Sequence, residues 1–296
     1  MQLLTENLNL ILSLLLLILC LSLIWFFFIP KKGKKFLIHL LTRKSEIERI
    51  IKKKPHAKDV ISFWSSLKQS QHFSKIVTTI GYGSFNSREI IEEILEQKKI
   101  KNDQLVEKRL KGFLIQIHLF NETKRKLIGL QETSYDCKNQ EHEMHLQELW
   151  CSMKPDTTFE RKSKQWSKLG FQGKDPATDF RGSGILGLFF LEYFSKKYPE
   201  ESKKALNDSY GTESRSFYPF SCFGIQLSNE LLQNLKKTDR LDSYLLMKKP
   251  ELATFFTLCS ELFIKFNQLW KKKNPENLLK FPSLFKSFFS DSIKNL

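Results

Sequence analysis

Apolar residues recur at helical spacing along most of the chain after residue 45. Val60, Phe63 and Leu67 belong to one such stripe, and residues 252–270 carry the longest. Because side chains three or four positions apart lie on one face of an α-helix, each stripe predicts an amphipathic helix. No segment bounded by turn signals alternates apolar and polar residues at a period of two, so no sheet is expected. The sequence therefore predicts an all-α fold.

A run of twenty residues near the amino terminus, 10–29, contains no charge and no proline. As a helix it would cover about 30 Å of bilayer hydrocarbon. The flank before it carries only Glu6, whereas a dense basic stretch follows it, so the positive-inside rule places the carboxyl side in the cytoplasm. A cleaved signal peptide would need a small-residue cleavage site, which residues 26–30 do not supply. The prediction is a single-pass membrane anchor and a cytoplasmic body.

The charge balance indicates an acidic partner or surface. The chain has 48 lysines and arginines against 32 acidic residues, a formal charge of +16. Residues 31–54 hold ten basic and two acidic residues, so ten minus two places +8 there. Such a cluster beside a membrane segment favours contact with anionic lipid, and we expect that contact near residues 31–54. Nucleic-acid binding is not expected, because it requires basic residues interleaved with aromatics on a folded face.

The predicted organisation has three regions. Residues 121–138 are polar and rich in turn formers, so we place a boundary between a helix ending near Phe120 and one beginning near Asn139. The regions are the membrane anchor at 1–30, a basic helical linker region at 31–120 and a multi-helix domain at 139–292.

Two patterns that suggest a cofactor or a metal are interpreted as accidental. Gly182-x-Gly184-x-x-Gly187 matches a dinucleotide fingerprint, but that motif works only directly after a buried strand. His142 and His145 are three residues apart, whereas zincin chemistry needs a spacing of four, so solvated histidines on a helix face are expected. The five cysteines are widely spaced and show no zinc or disulfide pattern. No cofactor and no metal are predicted.

Residues 166–194 carry the most specific motif. They predict a helix end at Trp166 to Leu169, a loop rich in Gly, Pro and Asp, and a second helix from about Gly184. Such a loop can hold a charged side chain at a helix amino terminus. The residues of the motif are Trp166, Gly170, Phe171, Gln172, Pro176, Thr178, Asp179, Phe180, Arg181, Gly182, Gly184, Leu186, Gly187, Leu188, Leu191, Tyr193 and Phe194.

This stretch strongly resembles the signature of the ELMO domain, as found in the short ELMO-domain proteins that activate GTP hydrolysis on small GTPases of the Arf/Arl type. The resemblance implies an all-α ELMO-type domain and assigns the essential arginine of the family to Arg181. An arginine supplied in trans would stabilise charge on the phosphates, and the chain itself would have no independent catalytic activity. An alternative role for Arg181 is that of a buried organiser, paired with Asp179 or bonded to loop carbonyls.

The other motif residues would support the loop. Trp166, Phe171 and Phe180 are expected in the core, and Gly170, Gly182 and Gly184 at tight turns or close approaches. The supporting set is completed by Gln172, Pro176, Thr178 and Asp179.

One residue departs from the family pattern, because Phe190 stands where the family has asparagine. If that asparagine orients the loop, partner choice could differ here. Two alternative functions bind a small GTPase or an exchange factor without catalytic effect: a scaffold, as in the larger ELMO proteins, and a membrane tether, which Phe190 leaves open.

Overall fold

The computed structural model describes residue 16 and residues 30–52, 57–82, 85–154, 156–210 and 217–296. Within these ranges the regular structure is entirely helical, which confirms the all-α prediction. Short 3-10 helices cover Gln71–Phe73, Lys164–Leu169, Pro176–Gly182 and Leu278–Lys280. The α-helices are α1 (Lys31–Thr42), α2 (Glu46–Lys52), α3 (Ala57–Lys68), α4 (Ser74–Tyr82), α5 (Ser87–Lys98), α6 (Gln104–Glu132), α7 (Gln140–Met153), α8 (Leu186–Lys197), α9 (Pro199–Ser209), α10 (Phe220–Lys237), α11 (Asp239–Met247), α12 (Leu252–Lys273) and α13 (Phe281–Lys294).

The chain divides into two compact units. The smaller unit contains α1, α2, α5 and the first part of α6. Its core is aliphatic, with Ile51, Ile94 and Leu110 fully buried. The guanidinium of Arg109 donates a hydrogen bond to the carbonyl oxygen of Ile51, which fixes the end of α2 against α6.

The larger unit contains α3, α4 and residues 111–296, and its core is aromatic. Phe263 of α12 lies at its centre, 4.9 Å from the rings of Phe194 and Phe220 and 4.6 Å from that of Phe223. These rings come from α8, α10 and α12, and rings at such distances stabilise the packing beyond the area they bury. The core thus joins three helices, and the loop that carries the sequence motif leads directly into one of them, α8.

The predicted helix end near Phe120 is wrong, because α6 continues to Glu132. Phe120, Thr123 and Leu127 are all buried, so the buried face persists through the polar stretch. The Thr123 hydroxyl donates to the carbonyl oxygen of Pro250 at 2.7 Å, which satisfies a polar group inside that face. The division into regions 1–30, 31–120 and 139–292 stays a prediction.

The predicted transmembrane helix and the single-pass localisation are corrected here. Apart from residue 16, residues 10–29 lie outside the described residues. No helix that the structure describes is long and apolar enough to cross a membrane. Long helices such as α6 and α12 are amphipathic, with charged side chains along their exposed faces.

Candidate functional site

The candidate site is built on residues 161–185, which we call the signature segment. Its first 3-10 helix, Lys164–Leu169, ends at Gly170 in the left-handed conformation. Its second, Pro176–Gly182, begins with a proline at its first position, and the carboxylate of Asp175 caps it by accepting from the amide of Ala177. Helix α8 follows directly, so the predicted order of helix end, loop and helix is confirmed.

A row of packed aromatic rings supports the segment. Trp166 packs edge-on against Trp150 at 4.8 Å and against Phe171 at 5.4 Å. Phe171 contacts Phe180 at 5.8 Å, and Phe180 stacks on Tyr135 at 5.6 Å. Trp166, Phe171 and Phe180 are buried, as the sequence predicted. The row continues from α7 to the residue next to Arg181, so the position of Arg181 depends on a packed core.

At two positions of the segment a side chain would meet both a left-handed backbone and a steric clash, whereas Gly173 has a positive φ of +118° with open space around it. Gly170 has φ +81°, and a Cβ there would lie 2.4 Å from the amide nitrogen of Phe220. Gly184 has φ +55°, and its Cβ would lie 2.2 Å from the carbonyl oxygen of Gln131 at the end of α6. The amide of Ile185 also donates to the carbonyl oxygen of Thr133 at 2.9 Å. The segment is therefore docked at Gly170 in its interior and at Gly184 near its carboxyl end through close backbone contacts.

Gly184, which makes the second of these contacts, and its neighbour Gly182 provide a matched pair of variants. We expect Gly184→Ala to lower the free energy of unfolding by about 2 to 4 kcal/mol, because it adds left-handed strain and a clash with backbone oxygens. Gly182 has open space around its Cβ position, so Gly182→Ala should stay within about 1 kcal/mol of the parent. Urea denaturation of both variants measures the difference, and equal losses would contradict the docking of Gly184.

An ion-pair network holds the second 3-10 helix at its amino end. The guanidinium of Arg161 donates to Glu143 through Nε and to Asp175 through a terminal nitrogen, both at 2.7 Å. It also lies over the ring of Tyr135, 5.3 Å from the centroid, and the hydroxyl of Tyr135 donates to Glu143. Burial opposes ionisation of Asp175, but the bonds from Arg161 and from the amide of Ala177 hold the pKa of that carboxyl below its ordinary value.

Sequence reasoning missed Arg161, Tyr135 and Glu143. They lie outside the motif and come from three separate elements, so no spacing rule joins them. A search of the segment for its cationic residues would have returned Arg161 among several lysines, without distinguishing it.

Asp179 organises the loop, because its carboxylate accepts a hydrogen bond from the amide of Gln172 at 2.8 Å. Burial raises its pKa above the ordinary value, although the bond from Gln172 and the charge of Arg181 oppose that shift. The Thr178 hydroxyl donates to the carbonyl oxygen of Asp175 at 2.9 Å. Gln172, Thr178 and Asp179 are thus joined to one another or to Asp175 by short-range hydrogen bonds.

Arg181 is exposed at the surface of this turn. Its Nε donates to the carbonyl oxygen of Thr178 at 2.9 Å, and within the described ranges this is its one hydrogen bond. Among the same residues, Arg181 has no ion pair with Asp179, although the two charges are close enough to influence each other. The bond anchors the stem of the side chain, and the two terminal nitrogens make no hydrogen bond among the described residues. The exposure of Arg181 departs from the buried-organiser alternative, whereas its bond to the loop carbonyl of Thr178 agrees with that alternative.

Phe190 is fully buried in the aromatic core. Its ring contacts are with Phe194 on its own helix and with Phe256 and Phe263 of α12, at 6.0 to 6.5 Å. The departure from the family pattern therefore adds an apolar side chain to the packing between α8 and α12.

The expectation of two solvated histidines on α7 is wrong. His142 is buried, and its Nδ1 accepts from the amide of Asp136 at 3.0 Å. His145 is half-buried and lies 2.6 Å from the carboxylate of Glu192. Ligand atoms of His145, Glu148 and Glu192 approach within 4.8 Å of one another, but the ammonium of Lys196 bridges both carboxylates at 2.5 and 2.7 Å. The charges of the two carboxylates are thus compensated by Lys196 within an ion-pair network.

Comparisons with known proteins cover the part of the chain that carries this site. The ELMO/CED-12 family model matches residues 125–285, a range that includes the whole signature segment. ELMO domain-containing protein B of Dictyostelium discoideum is 34% identical over 272 residues, which cover 86% of this chain and 90% of that protein. Human ELMO domain-containing protein 1 is 31% identical over 294 residues, covering 88% and 87%, and human protein 2 is 30% identical over 273 residues, covering 88% and 90%.

No solved structure matches the chain. The all-helical fold and the signature segment define an ELMO-domain protein. The chain belongs to the ELMO/CED-12 family, which confirms the resemblance inferred from residues 166–194.

Proposed function

We propose that this protein activates GTP hydrolysis on a small GTPase of the Arf/Arl type and that Arg181 acts in trans on the partner's active site. The observation that carries the proposal is the exposed guanidinium of Arg181, held at its Nε on a capped short helix over a packed aromatic row. The protein supplies one group to a reaction in another protein. It is therefore not an enzyme by itself in this proposal.

The chemistry of GTP hydrolysis suits this arrangement. Negative charge spreads over the phosphate oxygens in the transition state, and a cationic donor already held in position stabilises that charge without reorganising. The bond from Nε to Thr178 fixes the direction of the side chain, while the two terminal nitrogens form a fork that matches two phosphate oxygens. Arg181 thus has both the restraint and the free donors that the role requires.

A single-turnover assay tests this proposal. Arf and Arl proteins loaded with GTP are mixed with the purified full-length chain, and phosphate release is followed at increasing concentrations of the chain. At least one GTPase should hydrolyse GTP about 10³-fold faster or more than it does alone. Binding without acceleration across the panel would instead support the scaffold or tether function.

Asp179→Asn is expected to lower activation by less than about tenfold. Asparagine retains an oxygen that can accept from the amide of Gln172, so the turn should keep its geometry. Removing the carboxylate also removes its burial cost, which in the parent grows as pH rises from about 3.9 through the raised pKa of Asp179. The melting temperature of the variant, relative to that of the parent, should therefore rise as the pH increases through this window. Two results would contradict an orienting role. One is a relative melting temperature of the variant that rises as the pH falls, and the other is a loss of activation as complete as in an Arg181 variant.

A further inference from the structure

The signature segment separates its charges between an inner and an outer side. Five cationic residues of the segment are exposed: Lys162 pairs with Asp175, and the other four have no ion pair within the part of the chain that the structure describes. These four residues, which we call the cationic face, are Lys164, Lys168, Lys174 and Arg181.

The carboxylates of the same segment are used internally. Asp175 accepts from Arg161 and from the amide of Ala177, and Lys162 approaches it at 3.3 Å. Asp179 accepts from the amide of Gln172. Both carboxylates are half-buried, so neither neutralises the outer side. Along residues 160–185 the one exposed acid is Glu160, which precedes the segment, and Glu132 and Asp136 are exposed on the neighbouring stretch that contacts it.

Backbone contacts make the cationic face one folded surface. The amide of Ser163 donates to the carbonyl oxygen of Lys174 at 3.0 Å, which places the Lys174 turn beside the start of the first 3-10 helix. The bond between Gln172 and Asp179 joins the same turn to the helix that carries Arg181. The turn that carries Lys174 is therefore tied both to the first 3-10 helix and to the helix that carries Arg181.

We propose that the cationic face is a docking surface for an acidic protein surface next to the nucleotide site of the partner GTPase. This inference rests on the proposed function and adds the chemistry of the partner's surface to it. Exposed like charges repel one another, and they attract a complementary partner over a distance of about one Debye length, roughly 8 to 10 Å. The main effect of the three lysines of the face is on association, whereas its fourth member, Arg181, acts on turnover.

The two roles predict different kinetic effects. The triple variant Lys164→Glu, Lys168→Glu and Lys174→Glu should raise KM for the GTP-loaded GTPase by about 10- to 100-fold and leave kcat within about twofold. The dependence of kcat/KM on salt should weaken in the same variant. A control triple variant makes the same change in net charge at exposed lysines on other elements, namely Lys203→Glu, Lys265→Glu and Lys272→Glu.

Circular dichroism melting of both full-length variants checks that the fold is retained. A second assay separates this inference from the proposed function, because it measures binding to the GTPase loaded with a non-hydrolysable GTP analogue and needs no turnover. If the triple variant at Lys164, Lys168 and Lys174 (the signature variant) binds more weakly while the control triple variant does not, the result supports the cationic face, even if the parent fails to accelerate hydrolysis. Equal binding of the parent and the signature variant, or equal weakening by both triple variants, would overturn it.

Discussion

Arg181→Lys is expected to lower the acceleration of GTP hydrolysis by about 10³-fold or more, with a melting temperature close to that of the parent. Lysine keeps the positive charge but loses the planar fork and the Nε donor that bonds Thr178. Since Arg181 is exposed and makes that single hydrogen bond among the described residues, the fold should change little. Single-turnover phosphate release, together with thermal melting, measures both effects.

The matched control for this variant is Arg240→Lys, which changes an exposed arginine on α11. It should retain parental activation. If Arg181→Lys kept near-parental turnover, bidentate contact with phosphate would be excluded. If activity and melting temperature fell together, Arg181 would act through the loop rather than on the nucleotide.

Arg161→Met is expected to lower activation by about 10- to 100-fold, although Arg161 is not itself directed at the partner. Its guanidinium holds Asp175, which caps the short helix that carries Arg181, and it covers the ring of Tyr135. Methionine retains the length of the stem but makes none of these bonds. The loss of position should appear in kcat, with KM for the GTP-loaded partner changed little.

A double-mutant cycle distinguishes positioning from a general structural effect. On an Arg181→Ala background, Arg161→Met should have no further effect on turnover, because the group that it positions is gone. Measurements are made well below the melting temperature of each variant, and Arg240→Met on the same two backgrounds is the control. A full additional loss on the Arg181→Ala background would mean that Arg161 contributes in some other way.

The sequence was sufficient to predict those features that depend on local spacing or on a specific motif. The helical stripes correctly predicted α3 and α12, and the motif correctly placed Trp166 and Phe180 in the core. Features that depend on pairing between distant elements could not be obtained in this way. The buried face of α6 continues past Phe120 because its polar member, Thr123, bonds a carbonyl 127 positions away.

The site shows the same division. The exposure of Arg181 follows from its neighbours, since the adjacent Phe180 is directed inward and the helix is short. Its support from Arg161 depends on contacts with α7 and with the turn before it, which no periodicity encodes. His142 was misinterpreted for a similar reason, because its partner amide lies in the turn that precedes α7.

The most direct test of the central claim is a comparison of two affinities. The full-length chain is titrated with a responsive Arf or Arl protein loaded either with GDP and aluminium fluoride, which mimics the transition state, or with a non-hydrolysable GTP analogue. If Arg181 contributes mainly in the transition state, the parent should bind the first complex at least about 10²-fold more tightly, and Arg181→Lys should remove most of that preference. Equal affinities for the two complexes, or a preference that survives in Arg181→Lys, would contradict the proposed role of Arg181.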